Sequence, residues 1–226
     1  MKFAMSYSFG KDSALALHKM AQEGNEPVCL ITSVNEENGR SWSHGLNSDL
    51  LQKASSCLGL PIIKVSCNAK NYIGEFEKAL KTAAEMGARA CAFGDMDISQ
   101  HLDWNKARCT AAKIKCCVPL WGTEREKAVS QMLELGYSGI IKIVNKKYMG
   151  KEFLGKKLDK ALVEKIRATG ADICGENGEY HTFVTNGPMY KEPVMITLGD
   201  TVDLGDYAAI EIKPDLQEAV NSMPDE

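Results

Sequence analysis

The sequence predicts an α/β protein: a parallel sheet with crossover helices over residues 1–135, then a smaller α+β unit over 136–226. Three observations carry this. Strand-like apolar runs alternate with helical stretches through the first 135 residues, the pattern of parallel strands joined by helices. Gly24, Gly59, Gly87 and Gly136 each follow a helical stretch, where glycine ends helices by taking a left-handed conformation. Past Gly136 the alternation gives way to short strands around a single helix.

In order, the expected strands of the first unit are Lys2 to Tyr7, Val28 to Val34, Ile62 to Ser66, Ala90 to Phe93 and Cys117 to Leu120. Helices separate them, the first running from Ser13. Thr123 with Glu126 has the spacing of a capping box that would open the last helix of this half. The second unit reads as a strand over Ile140 to Val144, a helix over Asp159 to Thr169, and strands over Thr182 to Asn186, Val194 to Leu198 and Ala208 to Ile212 in a mixed sheet. The tail from Asp215 to Glu226 reads as a loose helix or a disordered end.

Composition narrows the function classes. With 226 residues, 44% of them apolar, the chain has enough material for a core. No run approaches the roughly 18 apolar residues of a membrane span, and Met1-Lys2-Phe3-Ala4 lacks a signal peptide's apolar region; a cytoplasmic, membrane-free protein is expected. The eight cysteines are never spaced Cys-x-x-Cys, which argues against zinc ribbons and redox pairs. A net charge of −3 argues against a nucleic-acid footprint. One segment departs from that balance, with nine cations against three anions from Lys142 to Arg167; it reads as a solvated face.

The chemistry concentrates in two places. Ser8-Phe9-Gly10-Lys11-Asp12-Ser13 lies between the first strand and first helix. A bend there aims unpaired backbone N–H groups and the positive end of a helix dipole at one spot, which suits phosphate. Ser8 and Ser13 add hydroxyls and Lys11 a full charge, while Asp12 would repel phosphate unless a magnesium ion lies between them. The bend is no Walker A loop: Met5 stands where the first glycine belongs and Asp12 follows Lys11. Ser33-Val34 and Phe93-Gly94-Asp95, at the carboxyl ends of later strands, are expected walls for an adenine and ribose. The plain alternative is a small polar turn that caps a helix.

The second place is Cys174-Gly175-Glu176-Asn177-Gly178-Glu179-Tyr180-His181-Thr182, two glycines, two carboxylates, an amide, a phenol and an imidazole in nine residues. Glu176 and Glu179 could meet a cation, a metal or an amine-bearing substrate; a polar hairpin turn is the competing reading.

The first hexamer resembles the Ser-Gly-Gly-x-Asp-Ser signature of the PP-loop ATP pyrophosphatases, with Phe9 where the signature has glycine. Paired with Gly175-Glu-Asn-Gly-Glu-Tyr-His-Thr182, it is similar to the diphthine-ammonia ligase family. Further matches are Val34-Asn35-Glu36, His44-Gly45, Gly94-Asp95-Met96-Asp97, His101 with Trp104, Pro119-Leu120-Trp121-Gly122, Leu154-Gly155 with Leu158-Asp159, and Gly187-Pro188-Met189, over about residues 1 to 195.

The resemblance implies a Rossmann-like, HUP-type nucleotide-binding domain and an ATP-dependent ligase that adenylates a carboxylate and amidates it with ammonia, releasing AMP and pyrophosphate. It implies ATP bound by Ser8, Phe9, Gly10, Lys11, Asp12, Ser13, Ser33, Val34, Phe93, Gly94 and Asp95, with magnesium at Asp12. It casts Lys11, Asp12, Glu176, Glu179 and His181 as catalytic. The acceptor, a translation elongation factor bearing the quaternary ammonium of diphthine, would meet His44, Asp97, Trp121, Gly175, Glu176, Asn177, Glu179 and Tyr180. If Phe9 keeps extended backbone angles and turns its ring inward, its N–H can still serve the phosphates. An RNA- or metabolite-modifying adenylating enzyme and a non-catalytic ATP-binding module are the alternatives.

Overall fold

A computed structural model describes residues 1–215; apart from Asp215, the tail read as a loose helix or disordered end lies outside the described residues. Five strands, β1 (Lys2–Ser6), β2 (Glu26–Asn35), β3 (Ile62–Cys67), β4 (Ala90–Ala92) and β5 (Lys115–Cys117), form a parallel sheet in the order β3-β2-β1-β4-β5. Phe3, Ala4 and Met5 of β1 are wholly buried, as expected for a central parallel strand covered on both faces. Helices α1 (Lys11–Gln22), α2 (Ser48–Leu58) and α5 (Arg125–Glu134) share one apolar cluster with β1, while α3 (Tyr72–Glu85) and α4 (Ser99–Ala111) build a second cluster with β3 and β4. The chain leaves β1 toward β2 and β3, then returns to β4 and β5 on the other side. The order reverses between β1 and β4, and sheets of this kind bind ligands at that crevice.

Four further strands, β6 (Ser138–Asn145), β7 (Tyr180–Asn186), β8 (Ile196–Leu204) and β9 (Tyr207–Pro214), form a second sheet in the order β7-β6-β9-β8, with α6 (Lys160–Ala168) between β6 and β7. All its pairings are antiparallel, so the mixed sheet expected from sequence is corrected. Ile141, Phe183 and Ile212 of this sheet belong to the same apolar cluster as Phe3, Leu17 and Leu50.

Four local expectations shift. The first helix begins at Lys11, so Lys11, Asp12 and Ser13 form its opening turn. β5 ends before Val118, because Pro119 cannot donate to a ladder and Trp121 N–H bonds back to Val118 in a turn. The capping box does not form: Glu124 is the N-cap of α5, without a side-chain cap bond, and Glu126 pairs with Arg167 instead. β8 runs on to Leu204 because Gly199-Asp200 is a bulge inside the strand, with the register slipping between Leu198 and Thr201. The four glycines expected to end helices do take positive φ, from +71° to +101°. No helix among the described residues is long and apolar enough to cross a membrane.

Candidate active site

The bend after β1 meets the opening of α1 under strand β7. Gly10 N-caps the helix with extended angles, and the Lys11 N–H, with no carbonyl of its own helix to bond, donates to Thr182 Oγ1 at 3.0 Å. The next two amides, Asp12 and Ser13, also lack intrahelical acceptors, so they and the dipole behind them face the crevice. Ser8 Oγ lies 3.2 Å from Ser13 Oγ and accepts from the Gly10 N–H, which fixes the width of the bend. Gly94, on the loop after β4, packs so close to Asp12 and Ser13 that an added Cβ would stand 3.0 Å from their backbone atoms.

Phe9 departs from one half of its expectation, the extended backbone, and meets the other, the inward ring. Its φ is +65°, the left-handed conformation that favours the glycine of the signature. Its ring is fully buried, edge-on to Tyr7 with centroids 4.8 Å apart, and its carbonyl accepts the Val184 N–H. The aromatic ring therefore stays out of the crevice that the bend faces.

Lys11 is buried, yet its ammonium lies 2.7 Å from both Asp12 oxygens and 5.7 Å from the Tyr180 ring centre. Burial opposes its charge, but Asp12, then Cys174, Tyr180 and Glu176, outweigh that and raise its pKa, so it stays cationic. Asp12, Cys174 and Glu176 bring one ligand atom each to within 4.8 Å of one another. Burial, then the neighbouring Asp12, lifts the Glu176 carboxyl to about 7, and burial lifts the Cys174 thiol to about 12. Two carboxylate oxygens suit a hard divalent cation; the protonated thiol does not.

His44 sits 5.0 Å from His181, ring centre to ring centre, and its Nδ1 lies 2.7 Å from the Thr182 carbonyl. A carbonyl only accepts, so Nδ1 carries the proton. Burial and the His181 ring lower the His44 pKa to about 3, and the imidazole is neutral. His181 is likewise lowered, first by burial and then by Lys11.

A crevice of about 390 Å³ gathers Ser8, Lys11, Asp12, Ser13, His44, Phe93, Gly94, Asp95, Gly175, Glu176, Tyr180 and His181. An adjoining cavity of about 460 Å³ lies over the ends of β1, β2 and β3, with Ser33, Trp42 and Tyr72 in its lining. The two share Ser6, Ser8 and Ser43. Thus Ser33 and Phe93-Gly94-Asp95 stand on opposite sides of β1 in different cavities.

Several expected site residues face elsewhere. Val34 is buried in a bridge to Ser41, outside the linings of both cavities. Glu179 points inward: its oxygens accept from the Asn177 N–H and Nδ2 and from the Asp172 N–H. It braces the turn, as does Asn177, and neither lines the crevice. Asp97 is held by both oxygens in an Arg125 fork, and Trp121 stands exposed in the turn after β5. Asp95 lines the crevice with its oxygens already accepting from Asn105 Nδ2 and lying 3.0 Å from His101 Nδ1.

Trp42, Tyr72, Thr182 and Cys174 were not among the expected ligand contacts. Trp42 sits on the connection between β2 and α2, and only the fold brings it into the same cavity lining as Tyr72. Thr182 and Cys174 lie within the second motif and were legible there as neighbours of its charged members.

Two family models match, the diphthamide synthase N-terminal domain over residues 1–116 and the diphthamide synthase C-terminal domain over residues 124–214. Proteins named diphthine-ammonia ligase are similar: one from Rattus norvegicus at 26% identity over 99% of this chain and 96% of its own length, one from Danio rerio at 31% over 44% and 41%, and one from Homo sapiens at 26% over 52% and 48%. The chain thus spans about half the human protein's length and less of the Danio rerio one. A solved structure described as a predicted subunit of tRNA methyltransferase from Methanocaldococcus jannaschii aligns with a TM-score of 0.45 at 18% identity, covering 83% of this chain and 98% of that one, a likeness too loose to argue from. The two matched domains together take in both sheets and both motifs of the crevice, and the chain belongs to the diphthamide synthase family of the PP-loop superfamily.

Proposed function

We propose that this protein is an ATP-dependent ligase of the diphthine-ammonia ligase type, joining ammonia to a carboxylate through an acyl-adenylate with release of pyrophosphate and AMP. One observation carries the reading: the bend of the first motif and the turn of the second converge on a single crevice, tied by the Lys11–Thr182 bond, beside a cavity sized for a nucleoside. Trp42 and Tyr72 would flank the base, and the Asp12 and Ser13 amides with Lys11 would hold the outer phosphates. Attack of the acceptor carboxylate then falls on the α-phosphorus, and Lys11 offsets charge growing on the departing pyrophosphate. Magnesium, when bound, would neutralise that leaving group further, with Asp12 as its carboxylate ligand.

Ammonia attacks the acyl carbon in the second step and becomes positively charged as its bond forms. Glu176, lining the crevice beside Asp12, is placed to take the proton released as AMP leaves. The acceptor would be diphthine on a translation elongation factor, which sets the work in the cytoplasm.

The test supplies the modified factor with ATP and varies ammonium. AMP and pyrophosphate should form in equal amounts and rise with ammonium without glutamine. AMP release indifferent to ammonium in the presence of that acceptor would overturn the reading.

A further inference from the structure

Arg125, the first residue of α5, stands outside both motifs, yet it links the loops that carry them. Its Nε and Nη2 donate to the two oxygens of Asp97 at 2.8 and 3.0 Å. Its Nη1 donates to Asp172 Oδ2. Asp97 lies three residues beyond Gly94, on the loop packed against the opening of α1. Asp172 in turn folds the second motif: its Oδ1 accepts the Cys174 N–H at 2.9 Å, its backbone carbonyl the Gly175 N–H, and its Oδ2 also receives the Glu176 N–H at 3.4 Å.

We propose that Arg125 is a positioning residue, a clasp whose planar fork holds the β4 loop and the Asp172–Glu176 turn at a fixed separation across the crevice. The contact geometry asks for a guanidinium. Three N–H groups in one plane reach two carboxylates at once, which a lysine ammonium cannot match. Bonds within the turn give it shape, and the clasp ties it to the β4 loop; the Glu176 N–H reaches Asp172 Oδ2, the oxygen Arg125 holds, at 3.4 Å. Losing the clasp frees that turn to swing outward and carries Glu176 away from Asp12. The role rests on the ligase reading only for its effect on turnover; the geometry of the turn can be read without it.

The experiment is peptide-resolved alkylation of the full chain with iodoacetamide, comparing wild type with Arg125→Ala. Cys174 is buried under the turn, while Cys91 and Cys109 are buried in the separate cluster beneath α4. Removing charged hydrogen bonds of this kind should speed local opening about tenfold or more, so Cys174 should alkylate about tenfold faster while Cys91 and Cys109 keep their wild-type rates. With the acceptor present, kcat should fall while ATP affinity holds, and Arg125→Lys should recover part of both effects. Unchanged Cys174 alkylation in Arg125→Ala overturns the proposal. Should that variant fail to fold, with Cys91 and Cys109 also reacting, Arg125→Lys and Asp97→Asn are read the same way and decide it. Faster Cys174 alkylation in a protein whose wild type shows no ligase turnover leaves the clasp standing and removes the ligase reading.

Discussion

The Lys11 N–H donates to Thr182 Oγ1 across 171 residues of sequence, and through that bond strand β7 holds the first turn of α1 in place. Thr182→Val keeps the shape and removes the acceptor, leaving a buried N–H without a partner. The expected loss is about 1–3 kcal/mol of stability, together with weaker nucleotide binding. Thr182→Ser should restore both. Urea melts and titration with an ATP analogue check it, and equal values for Val and Ser would show that the bond contributes nothing.

Phe9 holds a conformation suited to glycine while filling the core with its ring. A non-glycine residue in the left-handed region costs about 1–3 kcal/mol. Deleting a buried phenylalanine side chain costs about 3–5 kcal/mol. Packing wins, so Phe9→Gly, despite restoring the superfamily's usual residue, should lower stability by about 2 kcal/mol and leave ATP affinity close to wild type. A variant more stable than wild type in denaturant melts would reverse that ordering.

Much of the first sheet was legible because continuous apolar runs and helix-ending glycines are local signals. The bend after β1 was legible for the same reason, since Ser8, Gly10, Lys11, Asp12 and Ser13 are contiguous and Ser8, Lys11, Asp12 and Ser13 line the crevice. What escaped depends on distant chain. Glu179 and Glu176 look alike in sequence, but the N–H groups of Asn177 and Asp172 claim the first and leave the second facing the crevice. Asp97 reads as a site residue until Arg125, 28 positions later, takes both its oxygens. Lys142 falls among the lysines read as a solvated face, yet it lies buried on β6, flanked by Ile140-Ile141 and Ile143-Val144.

Lys142 offers a stability test with a definite sign. Burial lowers its ammonium to about 8, with Arg40 adding to the effect and Glu211 opposing it. Below that pH the folded protein carries a desolvated charge. Between about pH 8 and the usual lysine value of 10.5 the unfolded chain binds more protons than the folded one, so wild-type stability rises with pH there. Lys142→Met should therefore melt at a higher temperature than wild type at pH 7, with the advantage gone by about pH 10.5. A gain that stays constant across that range would place the charge in solvent.

Glu176 titrates in the opposite sense. Its carboxyl, raised from the usual 4.5 to about 7 by burial and then by Asp12, remains protonated in the folded state where the unfolded chain has already ionised. The folded state binds the extra proton, so stability falls as pH rises from about 4.5 to about 7. Glu176→Gln stays neutral throughout. It should match wild type near pH 4 and melt higher at pH 8, where the paired negative charges of Asp12 and Glu176 face each other. If Glu176 also accepts the ammonia proton, the same substitution should abolish the rise in amide formation through about pH 7 that wild type shows, while adenylate formation, read as pyrophosphate release, survives. Thermal melts from pH 4 to 8 and paired assays of the two half-reactions separate the effects. A variant that gains stability at pH 8 yet keeps its pH-dependent amidation would leave the electrostatics intact and move the base elsewhere in the crevice.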